Sequence, residues 1–181
     1  MNNSTFKDII KPIIVLTCIC LVVTAMLAYT NLITSPVIKA AEEKAAEEAR
    51  AEVLSGADSF TQIKINNLPE EITEVDKADN GAGFVFMVTT KGYGGDIWLI
   101  CGIKSDGSIE KTKTLSHLET SGIGSRVVDN DSSYRKQYVG KTADSLDEVD
   151  AVSGATISSK AYKSAIENVF KAYDTVKEAG Q

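Results

Sequence analysis

The chain opens on a long stretch without charge. No charged residue stands between Lys11 and Lys39, and the run from Ile13 to Thr34 is predominantly apolar. A helix needs about 20 such residues to cross a hydrocarbon core. A cleaved signal peptide carries an apolar region of only about 7–15 residues. The small-residue candidate for such a cleavage site, Val23-Thr24-Ala25, falls inside the run. The pattern therefore predicts a retained transmembrane helix over 12–35, with 1–11 as a short tail. Ser35-Pro36 reads as an N-cap followed by proline at the first helical position, so a second helix is expected from Pro36 to about Leu54. Its middle, Ala40 to Arg50, favours helix but shows no wide apolar stripe. That composition is read as a solvated stalk. An Ala-faced docking helix for a membrane partner is the alternative.

Beyond the cluster Ser55-Gly56-Ala57-Asp58 the pattern changes to short apolar runs broken by turn residues. Phe60 to Ile65 and Ile72 to Lys77 are expected as short strands around a turn at Asn66-Asn67-Leu68-Pro69. Asn80-Gly81 is a strong turn signal, and Phe84 to Thr90 follows as a strand. Gly92-Tyr93-Gly94-Gly95 interrupts before Asp96 to Ile103 resumes. Ser105-Asp106-Gly107-Ser108 then turns the chain into a return strand over Ile109 to Leu115. Gly122-Ile123-Gly124 opens a loop, and Asp131 to Val139 is expected as a short helix closed by Gly140. The last element is the clearest. Ile157, Ala161, Tyr162, Ala165, Ile166, Val169, Phe170, Tyr173 and Val176 recur at helical spacing and predict one buried face. The fold class is α+β: a transmembrane helix, a helical stalk and start of the domain over 36–80, an antiparallel sheet packed with helices over 81–176, and a tail at 177–181. Trp98 and Tyr162 are assigned to the core.

Composition narrows the chemistry. With a formal charge of -6, no strongly basic face is expected, and nucleic acid is not an expected partner. Two of the three cysteines, Cys18 and Cys20, lie in the apolar run, and Cys101 stands alone. With no C-x-x-C pair and one histidine, neither a zinc constellation nor an all-protein iron–sulfur centre is expected. Redox chemistry here requires an organic cofactor.

Ser153-Gly154-Ala155-Thr156 stands directly before the final helix. Unpaired amides and the helix dipole make such a position favourable for phosphate, and Gly154 permits close backbone approach. On these four residues alone a simple cap, with Ser153 or Thr156 as the capping hydroxyl, explains the pattern as well.

The wider segment Asp150-Ala151-Val152-Ser153-Gly154-Ala155-Thr156 fills every fixed position of the flavinylation pattern of the FMN-binding domain family: Asp, two variable residues, Ser or Thr, then Gly-Ala-Thr. His117-Leu118-Glu119-Thr120-Ser121-Gly122-Ile123-Gly124 resembles a second signature of that family, with Ser121 where proline is usual. Gly92-Tyr93-Gly94-Gly95 and the strand from Trp98 to Ile103 also match. The resemblance covers roughly Gly81 to Tyr173. It implies FMN covalently attached through a phosphoester to Thr156, installed by a flavin transferase that uses FAD. It places Ser153, Gly154, Ala155, Ile157 and Ser158 around the attachment point. Asp150 is then a flavinylation-recognition residue or an activator of the Thr hydroxyl; an ordinary loop carboxylate is the competing reading. Glu119, Thr120 and Gly122 are candidates for contact with the flavin or its ribityl chain, against a loop that merely fixes the sheet edge. Tyr93 and Gly94 are candidates for the cavity wall, with Gly95 beside them, although glycines there also suit a bulge. His117 is read as supporting its neighbours. No residue is assigned a catalytic role in turnover, and no metal site is expected.

A single transmembrane helix followed by one such domain resembles the G subunit of Rnf ion-translocating electron-transport complexes and its sister, the C subunit of sodium-pumping NADH:quinone reductases. The shorter spacing favours the first. This implies an electron-transfer flavoprotein in a complex coupling ferredoxin:NAD electron flow to sodium or proton translocation, with no complete activity alone. Other membrane and peripheral subunits are the implied partners. The N-terminus is expected to be cytoplasmic and the flavin domain extracytoplasmic. The flanking charges Lys7, Lys11, Lys39, Lys44 and Arg50 do not decide orientation. Two alternatives stand beside this reading: a free-standing extracytoplasmic flavin reductase serving a quinone or terminal acceptor, and a non-redox membrane-anchored binding module.

Overall fold

The computed structural model describes residues 3–179, with side chains from residue 9 to residue 178. The chain divides into two compact units, the first ending at Lys44 and the second beginning at Ala45. Helix α1 (Asn3–Val53) carries both Pro12 and Pro36 within it. Among the described residues it is the one helix long and apolar enough to cross a membrane. The hydroxyls of Thr17, Thr30 and Thr34 donate to the carbonyls four residues back, at Ile13, Met26 and Thr30. Such back-bonding satisfies a hydroxyl inside an apolar medium.

The expected second helix starting at Ser35-Pro36 is corrected: the helix continues through that pair. A proline inside a helix removes one backbone bond, but membrane helices accommodate it. The strong helix formers after Pro36 carry the geometry onward.

The second unit is built on a five-stranded antiparallel sheet in the order β1-β2-β3-β4-β5. Its strands are β1 (Phe60–Gln62), β2 (Ile72–Ala78), β3 (Gly83–Lys91), β4 (Asp96–Lys104) and β5 (Ile109–His117). The turns are those the sequence marks, with Gly81 and Gly107 both at positive φ. Pairing of Phe86 with Cys101 and of Val88 with Leu99 sets the register of the central strands. Alternation then divides the apolar side chains between two faces. Phe86, Val88, Ile97, Leu99, Cys101 and Ile103 belong to one core, with the final helix α4 (Thr156–Ala179) packed on it. Tyr162, Ala165, Ile166, Val169, Phe170 and Tyr173 supply the helical side, as the spacing predicts. Ile157 departs from that expectation, being 58% exposed, because it lies in the first turn beyond the edge of the core. Helix α4 also takes in Lys177 and Glu178, where a tail is expected from the sequence.

Val85, Met87 and Ile100 point to the opposite face. There they meet Ala46, Ala49, Val53 and Leu54, all buried. The stalk reading is thus corrected for the end of α1: its last turns are the second layer over the sheet. The alanine face does dock, and its partner is this chain's own sheet. Small side chains let the helix come close. A Cβ built on Gly102 of β4 would lie 2.1 Å from the carbonyl oxygen of Val53. Polar contacts fix the position on both sides. Arg50 reaches Asp76 at 2.6 Å and Glu74 at 2.8 Å on β2. Glu52 takes Lys111 and Lys113 on β5.

Two short helices follow the sheet, α2 (Ser125–Val128) and α3 (Ser133–Lys136), then a 3-10 turn over Ala143–Glu148. They lie along the outer edge of β5. Asn130 pairs its side-chain amide with Thr114 N–H and Thr114 C=O. Arg135, buried, donates to the Thr112 carbonyl and to Asn130 Oδ1. The Ile109 amide and carbonyl are taken by Lys141 and Gly140. The ring of Tyr134 meets those of Tyr138 and Tyr162 edge-on, and Tyr138 and Tyr162 are tilted at 45° to each other.

Candidate functional site

One cleft of about 450 Å³ opens in the second unit. Three segments line it. The β3–β4 hairpin loop contributes Tyr93. The loop after β5 contributes Glu119, Thr120, Ile123 and Gly124. The start of α4 contributes Gly154, Ala155, Thr156, Ile157 and Ser158. Distant parts of the sequence thus meet where the sheet ends and α4 begins.

The helix start is built by a turn. The Ala155 amide donates to the Val152 carbonyl at 3.0 Å, and Gly154 has φ +82°. A turn of this kind needs positive φ at its third residue, which glycine supplies without strain. Ala155 then accepts the first helical bond, from the Ser159 amide at 2.9 Å. Ala155 is therefore the N-cap, and it has no hydroxyl with which to cap. The reading in which Ser153 or Thr156 merely caps the helix does not describe this geometry. The amides of Thr156, Ile157 and Ser158 occupy the first three helical positions, where no intrahelical acceptor exists. Thr156 is exposed, and its hydroxyl enters no hydrogen bond among the described residues.

Glu119 holds the cleft together from beneath. It is 8% exposed. Its Oε1 accepts from the amides of Tyr93 at 2.7 Å and Gly94 at 3.2 Å. Its Oε2 accepts from the Ser158 hydroxyl at 2.8 Å. One carboxylate therefore ties the hairpin loop to the first turn of α4. The glycines around it make room. A Cβ on Gly92 would stand 2.0 Å from Oε1, and one on Gly124 would stand 2.1 Å from Oε2. His117 supports the loop in turn, accepting from the Glu119 amide at Nδ1 and facing Asp129 across 3.2 Å at Nε2.

Several expected residues sit differently from one another. Tyr93, Glu119, Thr120, Gly154, Ala155, Thr156, Ile157 and Ser158 share the cleft. Glu119 and Ser158, however, spend their polar atoms on each other and on backbone. Gly94 lies behind the lining, giving its amide to Glu119. Gly122, at φ +78°, gives its amide to Ser125 Oγ. Ser153 and Asp150 are exposed outside the lining. Ile123 and Gly124 line the cleft although sequence reasoning assigns them no contact; both stand inside the His117–Gly124 signature, which is the signal that could have found them. Gln137, Tyr134 and Ser159 brace the segment before α4, and no local sequence signal marks them for this. Trp98 is half-buried against the second core, and Tyr162 is fully buried in the first.

The surroundings suit a ligand with a phosphate at one end and apolar surface at the other. A helix N-terminus, with first-turn amides and a Thr156 hydroxyl that have no partner among the described residues, stands at one end. Exposed apolar side chains, Tyr93 at 70%, Ile123 at 53% and Ile157 at 58%, collect around the opening.

Comparison with known proteins agrees. Residues 92–171 match the FMN-binding domain family, and residues 1–53 match the RnfG N-terminal region. The G subunit of the proton-translocating ferredoxin:NAD(+) oxidoreductase complex of Clostridium ljungdahlii is 29% identical over 167 residues, covering 85% of this chain and 88% of that one. The G subunit of the Na(+)-translocating ferredoxin:NAD(+) oxidoreductase complex of Acetobacterium woodii is 29% identical over 195 residues, covering 94% of each chain. The G subunit of the ion-translocating oxidoreductase complex of Methanosarcina acetivorans is 31% identical over 177 residues, covering 90% of this chain and 93% of that one. Similarity of this extent, running through both the N-terminal helix and the cleft-bearing domain, shows that the chain belongs to the family of G subunits of Rnf-type ion-translocating oxidoreductase complexes.

Proposed function

We propose that this chain is a membrane-anchored electron-transfer subunit of a Rnf-type complex, carrying FMN as a phosphoester on Thr156. The carrying observation is the helix start. Ala155 caps α4 without a hydroxyl, and among the described residues the three first-turn amides and the Thr156 hydroxyl at the cleft have no hydrogen-bond partner. FMN, when bound, supplies one- and two-electron redox chemistry that the protein's own side chains lack. The chain's part is positional. The first-turn amides of α4 would hold phosphate, and Tyr93, Ile123 and Ile157 give the ring an apolar surface. Glu119 keeps hairpin loop and helix in register. During maturation Thr156 Oγ1 would take over the FMN phosphoryl group of FAD, with AMP and the hydroxyl proton leaving and no change of oxidation state. Asp150 marks the segment for the transferase.

The apolar stretch Ile13 to Thr34 anchors the chain. Residues 1–11 lie on the cytoplasmic side and the flavin domain on the other, facing the remaining subunits of a complex that couples ferredoxin:NAD electron flow to sodium or proton transport. Reporter fusions at the C-terminus, active only outside the cytoplasm, test the orientation. An enzymatically active cytoplasmic reporter fused there would refute it.

The covalent claim is tested by expressing the full chain with a flavin transferase. Denaturing electrophoresis under ultraviolet light should show a fluorescent band that Thr156→Ala abolishes, and intact mass should rise by one FMN less water. A dark wild-type band, or fluorescence surviving in Thr156→Ala, refutes it.

A further inference from the structure

The residue that closes helix α3 reaches the attachment segment in a way no assigned role requires. The side-chain amide of Gln137 meets both backbone groups of Asp150. Its Oε1 accepts the Asp150 amide at 3.1 Å, and its Nε2 donates to the Asp150 carbonyl at 3.4 Å. This is the pairing a neighbouring strand would make, supplied by one side chain. Two residues on, the Val152 amide donates to Ser159 Oγ at 3.1 Å. The Tyr134 hydroxyl donates to the Ser159 carbonyl at 2.7 Å. The Ala155 amide closes the turn onto Val152. Backbone is thus fixed at 150, 152 and 155. The side chains of Asp150, Ser153 and Thr156 are left exposed, and none of the three enters a hydrogen bond among the described residues.

We infer that Gln137 is a positioning residue for flavin attachment: it presets the backbone at Asp150, so that the segment through Thr156 meets the flavin transferase already ordered. The inference rests on the covalent reading of Thr156. Its physical content is entropic. A segment ordered only on binding charges that ordering to the encounter, and fixing one residue's backbone is worth roughly a tenfold change in affinity. Among the described residues the Gln137 side chain hydrogen-bonds the Asp150 backbone and neither Thr156 nor a residue of the cleft lining, so it is given no part in the chemical step. The effect must fall on recognition.

The full-length chain in detergent, purified without flavin, is incubated with FAD, Mg²⁺ and a purified flavin transferase. Attachment is followed by intact mass at varied chain concentration. Gln137→Ala removes the brace, and Gln137→Met removes it while keeping side-chain length and packing. Both variants should raise KM for the chain about tenfold and leave kcat within about twofold of wild type. Amide exchange should quicken across 149–152 while far-UV circular dichroism and Tm stay close to wild type. Unchanged KM in both variants overturns the inference. So does a fall in kcat at unchanged KM, or a global rise in amide exchange in Gln137→Met, either of which would make Gln137 an ordinary part of the fold. Failure of the underlying reading shows separately, as a wild-type chain that gains no flavin mass or a Thr156→Ala chain that gains it.

Discussion

Replacing Glu119 by alanine tests whether its carboxylate is a clasp of the protein or a contact for the ligand. The clasp reading gives a magnitude before any flavin is present. Removing the carboxylate strands three donors: the Ser158 hydroxyl and the amides of Tyr93 and Gly94. A buried donor left without a partner costs about 1–3 kcal/mol. Ser158 is 2% exposed and carries that cost in full, whereas Tyr93 lines the open cleft and Gly94 is exposed, so water partly replaces the lost oxygen at their amides. Glu119→Ala is therefore expected to lose about 3–4 kcal/mol, a large share of the roughly 5–15 kcal/mol of a typical domain. Glu119→Gln keeps one acceptor oxygen and should lose only about 1 kcal/mol. Urea titration of the full chain without flavin, followed by tryptophan fluorescence from Trp98, measures both. In a double-mutant cycle with Ser158→Ala the two losses should fail to add, since they share one bond. A loss under about 0.5 kcal/mol for Glu119→Ala without flavin would refute the clasp. Destabilisation confined to the flavin-loaded protein would assign the carboxylate to the ligand instead.

The contact between α1 and β4 makes a second prediction. Gly102→Ala places a methyl against the Val53 carbonyl, where neither backbone can yield cheaply, and should cost about 1–3 kcal/mol in the same titration. The tyrosine layer predicts an alkaline limit. Burial pushes Tyr134 up to about 12 and raises Tyr138 and Tyr162 as well. A phenol whose pKa is raised on folding contributes stability that is complete below the unfolded value of about 10 and is lost as pH climbs through the folded one. Stability should hold to about pH 10 and fall between about 10 and 12. Tyr134→Phe should shallow that fall, read as Tm against pH; an identical slope in the variant would count against the assignment.

Much of this architecture is legible in sequence because its signals are local. Asn80-Gly81 and Ser105-Asp106-Gly107-Ser108 turn where they should, and the apolar period from Tyr162 to Val176 finds its face. What escapes reading has a physical reason in each case. The stripe Ala46, Ala49, Val53 docks by its smallness, and alanine between glutamates adds little to any hydrophobic pattern. Pro36 looks like a start because local rules favour it there, yet the helix on either side overrides them. Glu119 reads as a polar candidate for the ligand. Only the fold reveals that its oxygens face an amide 26 residues upstream and a hydroxyl 39 residues downstream. The motif marks Thr156 as the proposed attachment point, but it does not reveal the alanine cap that leaves the Thr156 hydroxyl without a hydrogen bond among the described residues.

The side chains along β5 have a further consequence. A strand at the edge of a sheet is a template on which any extended chain can polymerise, and crowding at a membrane surface raises that hazard. Here Asn130 and Arg135 occupy the hydrogen-bonding positions of Thr112 and Thr114, and the backbone at Gly140 and Lys141 occupies those of Ile109. At the opposite edge β1 is only three residues long, with Thr61 and Gln62 exposed. The flavin domain can therefore be packed densely among other proteins without its sheet recruiting strands from them.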